Sequence, residues 1–156
     1  MPQRRPDPFE ALAAAGWRRV RTSGAFMSGA GPLWARRAGD AWVYAVWTTD
    51  VHLNPAGRVH GGLLATLADH AVSTVAWEAA GRVPCVTVQL DLHYLAGVAP
   101  GALVEARAEV VRRTSSLLFM RCVLEVAGGA VATAQALMKV QAPTHGDRDD
   151  RTPVVQ

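Results

Sequence analysis

The chain has two cysteines, a single lysine and no long apolar run, and each shortage removes a class of protein. Cys85 and Cys122 lie far apart, too few for a disulfide scaffold and without the spacing of a zinc module. No metal is therefore expected, and a reducing, cytoplasmic setting suits both thiols. No stretch approaches the roughly 18 to 20 apolar residues that cross a bilayer, and the apolar residues Ala11 to Gly16 follow Asp7, Pro8 and Glu10. Neither membrane insertion nor export is expected. Sixteen basic against thirteen acidic residues leave a net charge of +3, and the arginines are scattered along the chain. A nucleic-acid partner is not indicated without a basic stripe.

Several catalytic signatures are also missing. There is no G-x-S-x-G, H-E-x-x-H, C-x-x-C or G-x-x-x-x-G-K, and no G-x-G-x-x-G opening a helix after a strand. The separations of His52, His60, His70 and His93 match no compact ligand pattern.

What is present describes one globular domain. Half of the 156 residues are apolar and 19% are charged, which suits a single core over residues 1–142. The polar stretch 143–156, with Pro143 and Pro153, is expected to be a disordered tail. Asp7-Pro8-Phe9-Glu10 opens a short helix, with Asp7 as N-cap and Gly16 as stop. Leu33 to Arg37 and Ala41 to Thr49 read as strands. From about Gly62 to Ala80 there is no proline and much Ala and Leu, and apolar positions cover most of the circumference. That predicts a long helix enclosed by other structure.

Beyond Cys85 the period falls to two. Val86, Val88, Leu90, Leu92 and Tyr94 share one face of a strand, opposite Thr87, Gln89, Asp91 and His93. Ala102 to Arg112 alternates again, and Leu117 to Ala127 and Ala130 to Gln141 flank a hairpin turn at Gly128-Gly129. The expected architecture is α+β, one long helix against a single antiparallel sheet whose last four strands follow in succession.

One segment carries chemistry: Asn54-Pro55-Ala56-Gly57-Arg58-Val59-His60-Gly61-Gly62, running into Leu63-Leu64-Ala65-Thr66-Leu67-Ala68-Asp69. N-P-x-G-x-x-H-G-G followed by L-A-x-L-A-D strongly resembles the hotdog-fold thioesterases of the phenylacetate-degradation type, over about residues 33 to 141. The resemblance implies a helix wrapped in an antiparallel sheet and hydrolysis of an acyl-coenzyme A thioester, without cofactor. It implies that Asn54 and His60 position the substrate carbonyl and that Thr87 helps to orient water. Relatives often carry a Gly-Arg pair where this chain has Arg112-Arg113, which leaves Arg113 as a phosphate contact or a solvated turn residue.

The residues support a physical reading of their own. Glycines at a helix start leave backbone N–H groups open at the positive end of the dipole, so the Gly61 or Gly62 amide is a ready oxyanion donor. Asp69 sits mid-helix among Ala65, Ala68, Val72 and Ala76, where a carboxylate needs a partner or a task. Its task would be general base or direct nucleophile; Thr66 or Ser73 would be its bland partners.

Gly61 and Asp69 are separated by roughly 12 Å along a helix. One chain cannot easily bring both to the same atom. A homodimer with shared sites, or a tetramer, follows as an expectation. Trp77, two turns beyond Asp69, is the first candidate for lining an acyl or aryl pocket. The competing readings are a hotdog hydratase or dehydratase and an acyl-coenzyme A sensor that binds without cleaving.

Overall fold

The computed structural model describes residues 7–21 and 24–141; the predicted tail at 143–156 lies outside them. Asp7 caps α1 (Pro8–Ala14), its Oδ1 accepting from the Phe9 N–H at 2.9 Å. A two-residue strand, β1 (Arg18–Arg19), leads to a five-residue helix, α2 (Ala25–Gly29). Then come β2 (Leu33–Ala38), β3 (Ala41–Trp47), a 3-10 turn (Asp50–His52) and the long helix α3 (Gly61–Ala79). The chain closes with β4 (Cys85–Tyr94), β5 (Leu103–Arg113), β6 (Leu117–Val126) and β7 (Gly129–Val140).

All seven strands form one sheet in the order β1-β2-β3-β5-β6-β7-β4, with every pair antiparallel. This is the predicted α+β layer of one helix on one sheet, with a correction to its order. β4 does not pair with the strand that follows it; it crosses the sheet to pair with β7 and becomes an edge. Helix α3 lies against the sheet through Leu64, Leu67, Ala68, Ala71, Val72 and Ala76, and meets Val104, Ala106, Leu118, Met120, Leu124 and Ala134. Ala68, Ala71 and Ala76 are wholly inaccessible, so the helix backbone rides close over the strands. Gly62, Thr66, Asp69, Ser73 and Trp77 fall on another side of α3 and keep solvent exposure, so the helix is not enclosed all round. A second, smaller core joins Leu12 and Trp17 to Trp34, Val43 and Ala45. Among the described residues no helix is long and apolar enough to cross a membrane.

Two local departures from strict alternation matter. The β6–β7 turn is Ala127-Gly128, one residue earlier than expected, because Gly129 already pairs with Val126. Ala127 takes φ +49° and Gly128 φ +81°, the two left-handed positions of a primed turn. In β4 the register shifts between Thr87 and Gln89, which oppose Met138 and Leu137. Val88 is therefore the extra residue of a β-bulge.

His70 is a half-buried base on α3, its ring edge-on to Tyr44 of β3 with centroids 5.2 Å apart. Burial lowers its pKa below 6.5, with the Asp69 charge pulling the other way. Burial, then the Glu78 charge, pushes the Tyr44 phenol up to about 12. The unfolded chain thus binds a proton at His70 more readily than the folded one. The stability this confers is complete above pH 6.5 and is lost as the pH falls below it. The urea midpoint of the wild type is expected to fall more steeply than that of His70→Asn between about pH 7 and about pH 5. Parallel profiles would show that His70 is not the group responsible.

Candidate active site

The loop before α3 is closed by its own asparagine. Asn54 Oδ1 accepts from the N–H groups of Ala56 at 2.9 Å and Arg58 at 3.1 Å, and the Asn54 N–H donates to the Arg58 carbonyl at 2.7 Å. Gly57, at φ +71°, returns its N–H to the Asn54 carbonyl. The Asn54 side-chain oxygen is thus committed to loop geometry, an Asx turn of the kind Asn-Pro favours.

The loop delivers His60, whose N–H donates to the His52 carbonyl at 2.7 Å. His52 is buried and fully used: Nδ1 accepts from the Thr49 N–H at 3.0 Å, and Nε2 lies 3.0 Å from the Ala30 carbonyl. It pins the segment after α2 to the base of the loop.

His60 is the N-cap of α3, and its Nδ1 accepts from the Gly62 N–H at 2.8 Å. An accepting Nδ1 carries no proton, so the neutral ring carries it on Nε2. The Leu63 N–H is likewise taken, by the His60 carbonyl. Neither the Gly61 N–H nor His60 Nε2 has a partner among the described residues. The sequence left Gly61 and Gly62 as alternative oxyanion donors; with the Gly62 amide occupied, Gly61 is the one that remains.

Space is tight at both glycines. A Cβ on Gly62 would lie 2.9 Å from His60 Nδ1, and one on Gly61 would lie 3.2 Å from the Tyr94 ring. Tyr94 also donates its hydroxyl to the Gly61 carbonyl at 3.2 Å, so it braces the helix tip. Sequence reasoning counted Tyr94 only as part of an apolar face; a phenol at the end of that strand, able to donate to a helix tip, was the signal to follow.

Asp69 lies two turns along α3, half-buried. Its Oδ1 accepts from the Thr87 hydroxyl at 2.8 Å, and Thr87 Oγ1 is also 3.4 Å from Ser73 Oγ. The partner is therefore a strand residue, neither Thr66 nor Ser73. Strict alternation put Thr87 on the face opposite Leu90, Leu92 and Tyr94; the bulge at Val88 brings them to the same side, toward α3. Val86 and Val88, expected to be inward, are 41% and 57% exposed. By donating its hydroxyl hydrogen bond to Oδ1, Thr87 orients the carboxylate, and among the described residues nothing is bonded to Oδ2.

The remaining candidates sit elsewhere. Arg113 Nη1 donates to the Ala79 carbonyl at the far end of α3, where a cation also complements the helix dipole. Trp77 is also toward that end, with the Arg82 guanidinium 5.4 Å above its ring. The structure brings together His60, Gly61 and Gly62 as one group and Asp69 with Thr87 as another, while Asn54 is turned to its own loop. Arg113 and Trp77 join neither. Among the described residues no group of three or more His, Cys, Asp or Glu side chains is gathered as a metal site.

The family model of the thioesterase superfamily matches residues 56–142. Among solved structures, the TT0310 protein of Thermus thermophilus is 29% identical with a TM-score of 0.69, over 77% of this chain and 100% of that one. A phenylacetic acid degradation-related protein from Ralstonia eutropha JMP134 is 26% identical with a TM-score of 0.61, over 87% and 92%. A Streptococcus pneumoniae TIGR4 protein described as a hypothetical thioesterase, solved with coenzyme A, shares the fold at 24% identity and a TM-score of 0.64, over 69% and 87%. No curated protein matches the chain.

Proposed function

The chain belongs to the thioesterase superfamily, with the hotdog fold of the phenylacetate-degradation type, and on that premise we propose that it hydrolyses acyl-coenzyme A at a site shared by two copies. The observation that carries this reading is the pair of uncommitted donors at the start of α3, the Gly61 N–H and His60 Nε2–H. Both suit a thioester carbonyl oxygen, and both strengthen as that oxygen gains charge. One such donor contributes roughly 2.7 to 4 kcal/mol to lowering the barrier.

The water comes from the acidic side. Asp69 Oδ2, left open by Thr87, removes a proton from water as the hydroxide forms its bond to the carbonyl carbon. The tetrahedral oxyanion rests on Gly61 and His60. It collapses with cleavage of the C–S bond, and the thiolate takes the proton held by Asp69. If Asp69 attacks the carbonyl itself, the same groups serve a mixed anhydride that water then cleaves.

Asp69 is roughly 12 Å from Gly61 along α3, whereas reacting atoms meet at about 3 to 3.5 Å. The acidic group is therefore supplied by the second copy. The unpaired edge of β4, with exposed Val86 and Val88, is a suitable seat for that copy. Coenzyme A is the first carrier to test, since a protein of the same fold was solved with it.

Thiol release from a panel of acyl-coenzyme A thioesters tests the reading, with Asp69→Ala as control. Release by the wild type and loss in the variant are expected. Binding without release would favour a sensor, and addition of water to an enoyl thioester would favour a hydratase; either sinks hydrolysis.

A further inference from the structure

An open groove of about 670 Å³ runs beside the helix tip, between α2, the 3-10 turn and the first turns of α3. The volume lies within the range of small-molecule sites. Its lining is mostly apolar, with Phe26, Ala30, Val51, Leu53 and Leu63. Phe26 and Val51 are 75% and 86% exposed, apolar surface that an occupant of the groove would cover.

Three polar side chains line it, and two have already spent their protons. His52 directs Nε2 to the Ala30 carbonyl, and the Thr66 hydroxyl donates to the Gly62 carbonyl at 2.8 Å. The third is His60, with Nε2–H unspent. Among the described residues no charged side chain lines the groove. An occupant thus finds apolar contact along its length and one side-chain N–H donor at the end next to Gly61. That is the profile of a neutral acyl group with its carbonyl at the tip; a tail ending in a carboxylate would be desolvated without a partner.

We propose that this groove receives the acyl group of the thioester, as a neutral alkyl or aryl chain, and that Phe26 and Val51 select it. The proposal rests on the hydrolytic reading for its substrate, while the groove itself is testable without turnover. Because both side chains are largely exposed, Phe26→Ala and Val51→Asp leave the fold intact.

The experiment measures kcat/KM for acetyl-, hexanoyl-, benzoyl- and succinyl-coenzyme A, and equilibrium binding of a non-hydrolysable hexyl thioether of coenzyme A. The wild type is expected to prefer the hexanoyl and benzoyl substrates. Phe26→Ala lowers kcat/KM for these two by about tenfold and leaves acetyl unchanged. Val51→Asp does the same, and both variants bind the thioether more weakly. Equal changes for every substrate, or an unaltered profile, would overturn the proposal. If no thioester is cleaved at all, the hydrolytic reading fails alone: weaker thioether binding by the variants still upholds the groove, and unchanged binding overturns it.

Discussion

His60→Ala and Asp69→Ala, each inactive alone, are expected to regain about a quarter of wild-type activity when their subunits are exchanged. Random reassortment makes about half of the dimers hybrid, and each hybrid holds one site with both groups intact and one with neither. The expectation follows from the length of α3: the tip and the carboxylate share a helix but lie two turns apart. Loss of a general base costs typically 10²–10⁴ in rate, so a quarter stands far above background. Hybrids purified through two different tags are expected to release thiol at about half the wild-type rate. Inactivity in verified hybrids would assign both groups to one chain and end the shared-site reading.

The second large effect is a single methyl group. In Gly62→Ala the new Cβ would sit 2.9 Å from His60 Nδ1, closer than real contacts allow, so the ring must swing away from the Gly62 N–H. The swing breaks the N-cap, removes the bond that fixes the tautomer and takes Nε2–H from its place. The fall in kcat is expected to reach about 10²–10³, the usual loss for one oxyanion donor, and to match His60→Ala. Stability should fall by only about 0.5–2 kcal/mol, the loss of one cap. Steady-state kinetics beside thermal unfolding separate the two. A Gly62→Ala enzyme with wild-type kcat would falsify the role given to His60.

Much of this was legible in the sequence because it is written locally. Ala- and Leu-rich spacing without proline marks α3 to within one residue at each end, Gly61–Ala79 against Gly62 to Ala80. The segment from Asn54 to Asp69 marks the family that the comparisons show. What escaped depends on the rest of the chain. The pairing of β4 with β7 is a choice among strands with similar patterns. The bulge at Val88 replaces one alternation by another half a period out of phase, so Val86, Val88 and Thr87 each point where simple parity forbids. Helix α2 has five residues and no side-chain cap; nearby contacts, such as His52 on Ala30, hold it in place. The occupation of the Gly62 amide by His60 is invisible until the ring is placed.

The alanines beneath α3 have a consequence for how this protein tolerates change. Ala68, Ala71 and Ala76 expose no surface and face the sheet, so enlarging any one is expected to lift or slide the whole rod. A rigid rod transmits that movement to both ends. The tip at Gly61 would shift with it, and a misplacement of about 1 Å can cost 10²-fold in rate. Drift at these buried methyls, which touch no ligand, would thus be read out as lost turnover before it was read out as unfolding.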